Sequence, residues 1–125
     1  MAPKLLSSST IDGMKVINKS HEDIGKLKDL MIDWNNGNVA YAEMSFGGFL
    51  GIGDKYFAIP LDAFSFEYDD GKDYAVLNVS KEQLENAPGF DKDNWPKNAD
   101  YTFIDSVHTH YGYDSYSERY PPKTY

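Results

Sequence analysis

The stretch Asn35-Asn36-Gly37-Asn38 is the strongest local constraint in this chain. Asn-Gly supplies two residues that tolerate positive φ, which a tight hairpin turn demands. On its N-terminal side runs Ile24-Gly25-Lys26-Leu27-Lys28-Asp29-Leu30-Met31-Ile32-Asp33-Trp34. Apolar residues at 24, 30, 32 and 34 share one parity, as a half-buried strand requires. Lys26 and Asp33 interrupt that pattern, and a bulge is expected near Asp29 to Met31. On the other side Ala40, Ala42, Met44 and Phe46 fall on one face, opposite Val39, Tyr41, Glu43 and Ser45. Small residues on one face suit a tightly curved sheet, such as a small barrel.

Four further runs read as strands: Met14–Asn18, Tyr56–Pro60, Phe64–Tyr68 and Tyr74–Val79. Asp69-Asp70-Gly71-Lys72-Asp73 makes a second hairpin turn. Ser80 reads as a helix N-cap with Gln83 at the capping-box position, for a short helix from Lys81 to Asn86 that Pro88-Gly89 ends. The expected fold is mainly β, a small six-stranded barrel with a short C-terminal helix, its closure disposing of exposed edges. Phe46, Phe57, Phe64, Phe66 and Trp34 are expected in its core. Residues 1–10 read as a flexible lead, 11–97 as the barrel domain with its helical extension, and 98–125 as an extended tail. That tail holds six of the ten tyrosines with few aliphatics, so partial disorder is expected.

A chain of 125 residues has room for one ordinary domain. Asp plus Glu number 20 against 12 Lys plus Arg, a net charge of -8. Nucleic-acid affinity rests on cationic side chains that release counterions, so general binding to DNA or RNA is disfavoured. The absence of Cys removes disulfides, thiolate metal sites and cysteine nucleophiles together. No stretch approaches the ~20 apolar residues of a membrane helix, and the N-terminal apolar run, Leu5-Leu6, is too short for a signal peptide. A cytoplasmic protein without membrane insertion is the expectation.

The glycine-rich segment Gly48-Phe49-Leu50-Gly51-Ile52-Gly53-Asp54-Lys55 has P-loop spacing between Gly48 and Gly53, but Asp54 stands where Lys is required. The dinucleotide fingerprint fails as well, because Tyr56 replaces its third glycine and a strand follows. Phosphate binding is therefore set aside. The segment reads as a structural or interaction loop, with Phe49, Leu50 and Ile52 at its tip. His108 and His110 would point the same way on a strand, with Asp105 as a third ligand, which makes them weak metal candidates. Solvated histidines are the simpler account, and no metal or cofactor is expected. The Asp clusters at 69–73 and 91–93 read as solvated turns, since Trp95-Pro96 stand where a calcium loop needs ligands and glycine. No Gly-x-Ser-x-Gly elbow, no His-Glu-x-x-His and no other catalytic constellation occurs.

The run Ile24-Gly25-Lys26-Leu27-Lys28-Asp29-Leu30-Met31-Ile32-Asp33, with Gly37-Asn38-Val39-Ala40-Tyr41-Ala42, resembles the PRC-barrel domain. The glycine loop, followed by Tyr56-Phe57-Ala58-Ile59-Pro60, resembles stand-alone bacterial members. Leu84, Ala87-Pro88 and Phe90 are similar to the segment after their barrel, so the resemblance spans residues 11–97. It implies a six-stranded barrel like that of the photosynthetic reaction-centre H subunit, acting as a docking and assembly module with no catalytic residue. The chain is thus expected to be no enzyme and to bind a second copy of itself, as a homodimer, and an unidentified protein. The expected contacts are the loop residues Gly48, Phe49, Leu50, Gly51, Ile52, Gly53 and Lys55, and the tail residues Tyr111, Tyr113 and Tyr116. The alternative is a small-ligand or metal-ion binder using the His/Asp tail or the glycine loop.

Overall fold

The computed structural model describes residues 5–46, 55–85, 89–91 and 101–121. Seven strands are β1 (Lys15–Ile17), β2 (Asp23–Asp33), β3 (Asn38–Phe46), β4 (Lys55–Ile59), β5 (Phe64–Asp69), β6 (Lys72–Leu77) and β7 (Gly89–Asp91). Four short helices are α1 (Ser8–Ile11), α2 (Lys81–Glu85), α3 (Tyr101–His110) and α4 (Tyr116–Arg119). A 3-10 turn, Leu61–Ala63, links β4 to β5. The strands form one sheet in the order β5-β6-β1-β2-β3-β4-β7. All pairs are antiparallel except β1 with β6, which closes a long-range parallel ladder at Val16↔Ala75 and Ile17↔Val76. A barrel would need a ladder between the end strands. Among the described residues β5 and β7 are not paired, so the ladder order is open.

Local chemistry explains most of these elements. The β5–β6 connection is a two-residue turn, Asp70-Gly71, with φ of +50° and +78°, the geometry that matches strand twist. Ser80 and Gln83 form the expected capping box: Gln83 N–H donates to Ser80 Oγ at 3.1 Å and Ser80 N–H to Gln83 Oε1 at 2.9 Å. The β2–β3 connection differs from the expectation. It uses four residues, Trp34–Gly37, between the paired Asp33 and Asn38. Gly37 alone adopts positive φ there, and its N–H donates to Asp33 O at 2.8 Å.

The strand β2 is irregular, with register shifts between Leu27 and Asp29 and between Met31 and Ile32. Each shift exchanges the faces of every residue beyond it. A third shift, in the pairing with β1 between Asp23 and Gly25, lets Ile24 and Leu27 both be buried, and beyond the two shifts against β3 Ile32 and Trp34 emerge on the outside. Trp34 is 90% exposed, which corrects its expected place in the core. Phe46, Phe57 and Phe64 are buried as expected, and Phe66 packs half-buried against them.

Two hydrophobic clusters lie on opposite faces of β3 and β4. The larger one gathers Val16, Ile24, Leu27, Met44, Phe57 and Leu77, and Leu84 of α2 closes it. The smaller one joins Tyr41 and Ala58 to Ile104, Val107 and Tyr116. It corrects the expectation of an extended tail: residues 101–121 carry α3 and α4, packed on the outer face of the sheet. Ile104, Val107 and His108 fall on one face of α3, and burying them on an otherwise bare sheet face offsets the ordering cost. Residues 8–10, read as part of the lead, belong to α1, whose first turn Ser7 caps by accepting from Thr10 N–H.

Candidate functional site

A groove of about 310 Å³ opens between the end of the β2–β3 hairpin and the start of α3. Buried Ala40, Tyr41 and Ile104 form its base. Ile32, Trp34 and Tyr101 stand exposed around it, with Asp33 and Asn35 supplying the polar groups. None of the described lining residues is cationic.

Asp33 organises this end of the molecule. Its carboxylate accepts from Asn35 N–H at 3.1 Å, from the Tyr101 hydroxyl at 3.1 Å and from the Tyr116 hydroxyl at 2.9 Å. The Tyr116 hydroxyl also lies 3.1 Å from Asn36 Oδ1, which accepts from Asn38 N–H at 3.0 Å. Asn36 Nδ2 in turn donates to the carbonyl of Tyr120 at 3.3 Å. The hairpin turn is thereby tied to α3 and α4 by side chains that also satisfy its own backbone. Burial pushes the Tyr116 phenol up to about 12, with the Asn36 bond opposing and Asp33 adding to the rise. Tyr101 stacks on Tyr116, ring centroids 6.2 Å apart and 15° between planes.

A second polar group holds α3 and α4 to the sheet and the 3-10 turn. His108 is 1% exposed, with Nε2 2.7 Å from the carbonyl of Ala40 and Nδ1 3.1 Å from an Arg119 guanidinium nitrogen. A carbonyl only accepts and a guanidinium only donates, so the proton sits on Nε2 and Nδ1 is the acceptor. Burial holds the imidazole below its ordinary value; the Ala40 bond opposes this and the Arg119 charge reinforces it. Arg119 also pairs with Asp62 of the 3-10 turn and lies over the rings of Tyr113 and Tyr120, at 5.0 and 5.2 Å. Asp105 accepts from Ser117 N–H at 2.7 Å and Ser117 Oγ at 3.0 Å, at the start of α4.

Of the residues expected to make contacts, Gly48, Phe49, Leu50, Gly51, Ile52 and Gly53 lie outside the described residues, and Lys55 opens β4. Tyr116 is completely buried in the chain's own fold, which corrects its expected place on a contact surface. Tyr111 packs half-buried against the larger cluster, its phenol pushed up to about 12 by burial, and Tyr113 lies half-buried beneath Arg119. His108 and His110 do not converge. A helix turns residues two apart to different sides, and both ring nitrogens of His108 are engaged. Among the described residues no three His, Asp or Glu side chains gather as a metal site.

Sequence reading missed Trp34, Asp33 and Tyr101. The signal available was the 101-104-107/108-111 stripe, which a helical reading of the tail would have used. Nothing local marks Asp33 or Asn36, whose partners lie 68 to 84 residues away.

No helix among the described residues is long and apolar enough to cross a membrane. Comparison with curated proteins found no match. The family pattern of the PRC-barrel domain matches residues 3–84, from before α1 to Leu84 of α2, and so includes β1 to β6. The hairpin side of the groove, with Trp34 and Asp33, falls inside that match, while Tyr101 and Ile104 come from the helices beyond it. Two thirds of the sequence, with six of the seven strands, thus places this chain in the PRC-barrel domain family.

Proposed function

We propose that the chain is a non-catalytic docking and assembly module of the cytoplasm that pairs with a second copy of itself and engages a further protein. The observation that carries this reading is the apolar corner at the end of the β2–β3 hairpin. Trp34 is 90% and Ile32 58% exposed, and neither packs in a hydrophobic cluster. Tryptophan contributes large contact area with few rotors to freeze, and it is enriched where interfaces derive most of their energy. Membership of the PRC-barrel family supports a small protein-interaction module. The glycine loop, Gly48 to Lys55, belongs to the reading as a second contact element.

Sedimentation velocity over a range of protein concentrations tests it. The wild-type chain is expected to show a concentration-dependent dimer, weakened about tenfold or more by Trp34→Asp, because a carboxylate buried in an interface without a partner costs about that much. A wild-type chain that stays monomeric at every concentration, or a dimer indifferent to Trp34→Asp, removes this corner from the model of assembly.

A further inference from the structure

The geometry points to the groove between the β2–β3 hairpin and α3 as a binding site for a quaternary ammonium group. The lining is aromatic and anionic together. The Trp34 indole stands almost free at the rim. Tyr101 packs one face on Tyr116, is 37% exposed and lines the groove. Tyr41 lies at the base. Aromatic faces attract cations through the ring quadrupole, and cages of this kind hold methylated ammonium groups in many proteins.

The state of Asp33 selects the type of cation. Three donors already occupy its two oxygens: the N–H of Asn35 and the hydroxyls of Tyr101 and Tyr116. Its hydrogen-bonding capacity is therefore largely used. Among the described residues nothing neutralises its charge: those donors are neutral, no cationic residue lines the groove, and no ion pair forms at Asp33. Arginine or a primary ammonium would bring five or three N–H donors that need acceptors here. A quaternary ammonium brings charge and methyl groups but no donor. It gains from the carboxylate at long range and from the rings at contact, and it leaves nothing unsatisfied. The volume of 310 Å³ sits at the lower end of the roughly 300–1,000 Å³ range of ligand pockets, a match for a headgroup instead of a large ligand. The groove shares Trp34 and Ile32 with the corner proposed above for self-association, so the titration is made at a concentration where the chain sediments as a monomer, and a missing dimer does not decide it.

The test is titration of the full chain with tetramethylammonium and choline at constant ionic strength, followed by the methyl resonances of Met31 and Ile104. A saturable shift is expected at both. The neutral isostere 3,3-dimethylbutan-1-ol and arginine amide should each bind about tenfold or more weakly than choline. Trp34→Leu, at an exposed position that leaves the fold intact, should remove the saturable shift without moving the melting temperature. Tyr101→Leu should weaken binding in the same direction. Non-saturable shifts, equal binding of the neutral isostere, tighter binding of arginine amide, or undiminished binding by Trp34→Leu would each overturn the proposal. Sedimentation of the same samples separates a failed site from a failed dimer.

Discussion

At position 25 there is no room for a side chain. Gly25 holds φ at +145°, and a Cβ placed there would lie 2.3 Å from the carbonyl oxygen of Ser45 on β3. The oxygen belongs to backbone, so it cannot rotate away as a flexible side chain could. Gly25→Ala therefore combines a backbone conformation that L-residues avoid with a displaced strand. A loss of about 3 kcal/mol or more is expected in urea denaturation, since strain at such positions alone costs about 1–3 kcal/mol. An alanine variant as stable as wild type would contradict the close approach. This glycine was legible in the sequence as part of the Ile24-Gly25 pattern, though its reason was not. Asn36 shows the opposite case. It reads as one more turn residue, yet it is 3% exposed and bonds both Tyr116 and Tyr120.

Among the elements, α3 and α4 depend most on charge state. Their attachment passes through a neutral His108, which accepts from Arg119 and donates to Ala40. Protonation would place an N–H against the guanidinium, and Asp62 and Asp105, which favour the cation, do not reverse the effect of burial. With the folded value below the ordinary 6.5, the unfolded chain takes up the proton first. This contribution to stability is fully present above about pH 6.5 and is lost as pH falls from there toward the depressed folded value. Glu43 works with the opposite sign: burial and Asp29 raise its carboxyl above the ordinary 4.5, so it costs stability once ionised. The assignment therefore rests on comparison with a variant. Melting temperatures of His108→Gln should vary less between pH 7 and 5 than those of wild type, and parallel curves would exclude His108 as the source. The stripe that docks α3 was present in the sequence, but only two of its residues, Ile104 and Val107, are aliphatic, so low aliphatic content suggested an unpacked tail.

For the molecule as a whole, the outer face of β3 and β4 needs the tail. Ile104, Val107 and Tyr116 are buried against Tyr41 and Ala58. Full burial of three such side chains contributes about 5–9 kcal/mol, an upper range because the unfolded chain already buries part of that surface. A chain ending at Lys97 is expected to melt at a lower temperature and to show a smaller urea m value, because less surface is left to expose on unfolding. A truncated chain with unchanged melting temperature would show that the smaller cluster adds nothing to stability. The same chain should lose the quaternary ammonium site, since Tyr101 and Ile104 go with the tail.

The sequence by itself determined the strands β1 to β6, the Asp70-Gly71 turn, the capping box and the family, because each rests on a local period or a residue whose conformational preference is strong, whereas the three-residue β7 carries no such signal. Tertiary structure decided which face each residue of β2 presents, since the register shifts depend on pairing with β3 and β1. It also decided that the tail folds back as helices, and that Trp34, Asp33 and Tyr101 meet in one groove. Those outcomes depend on contacts between residues some 70 positions apart, where the energy lies in burial and in shared hydrogen bonds that no local window contains.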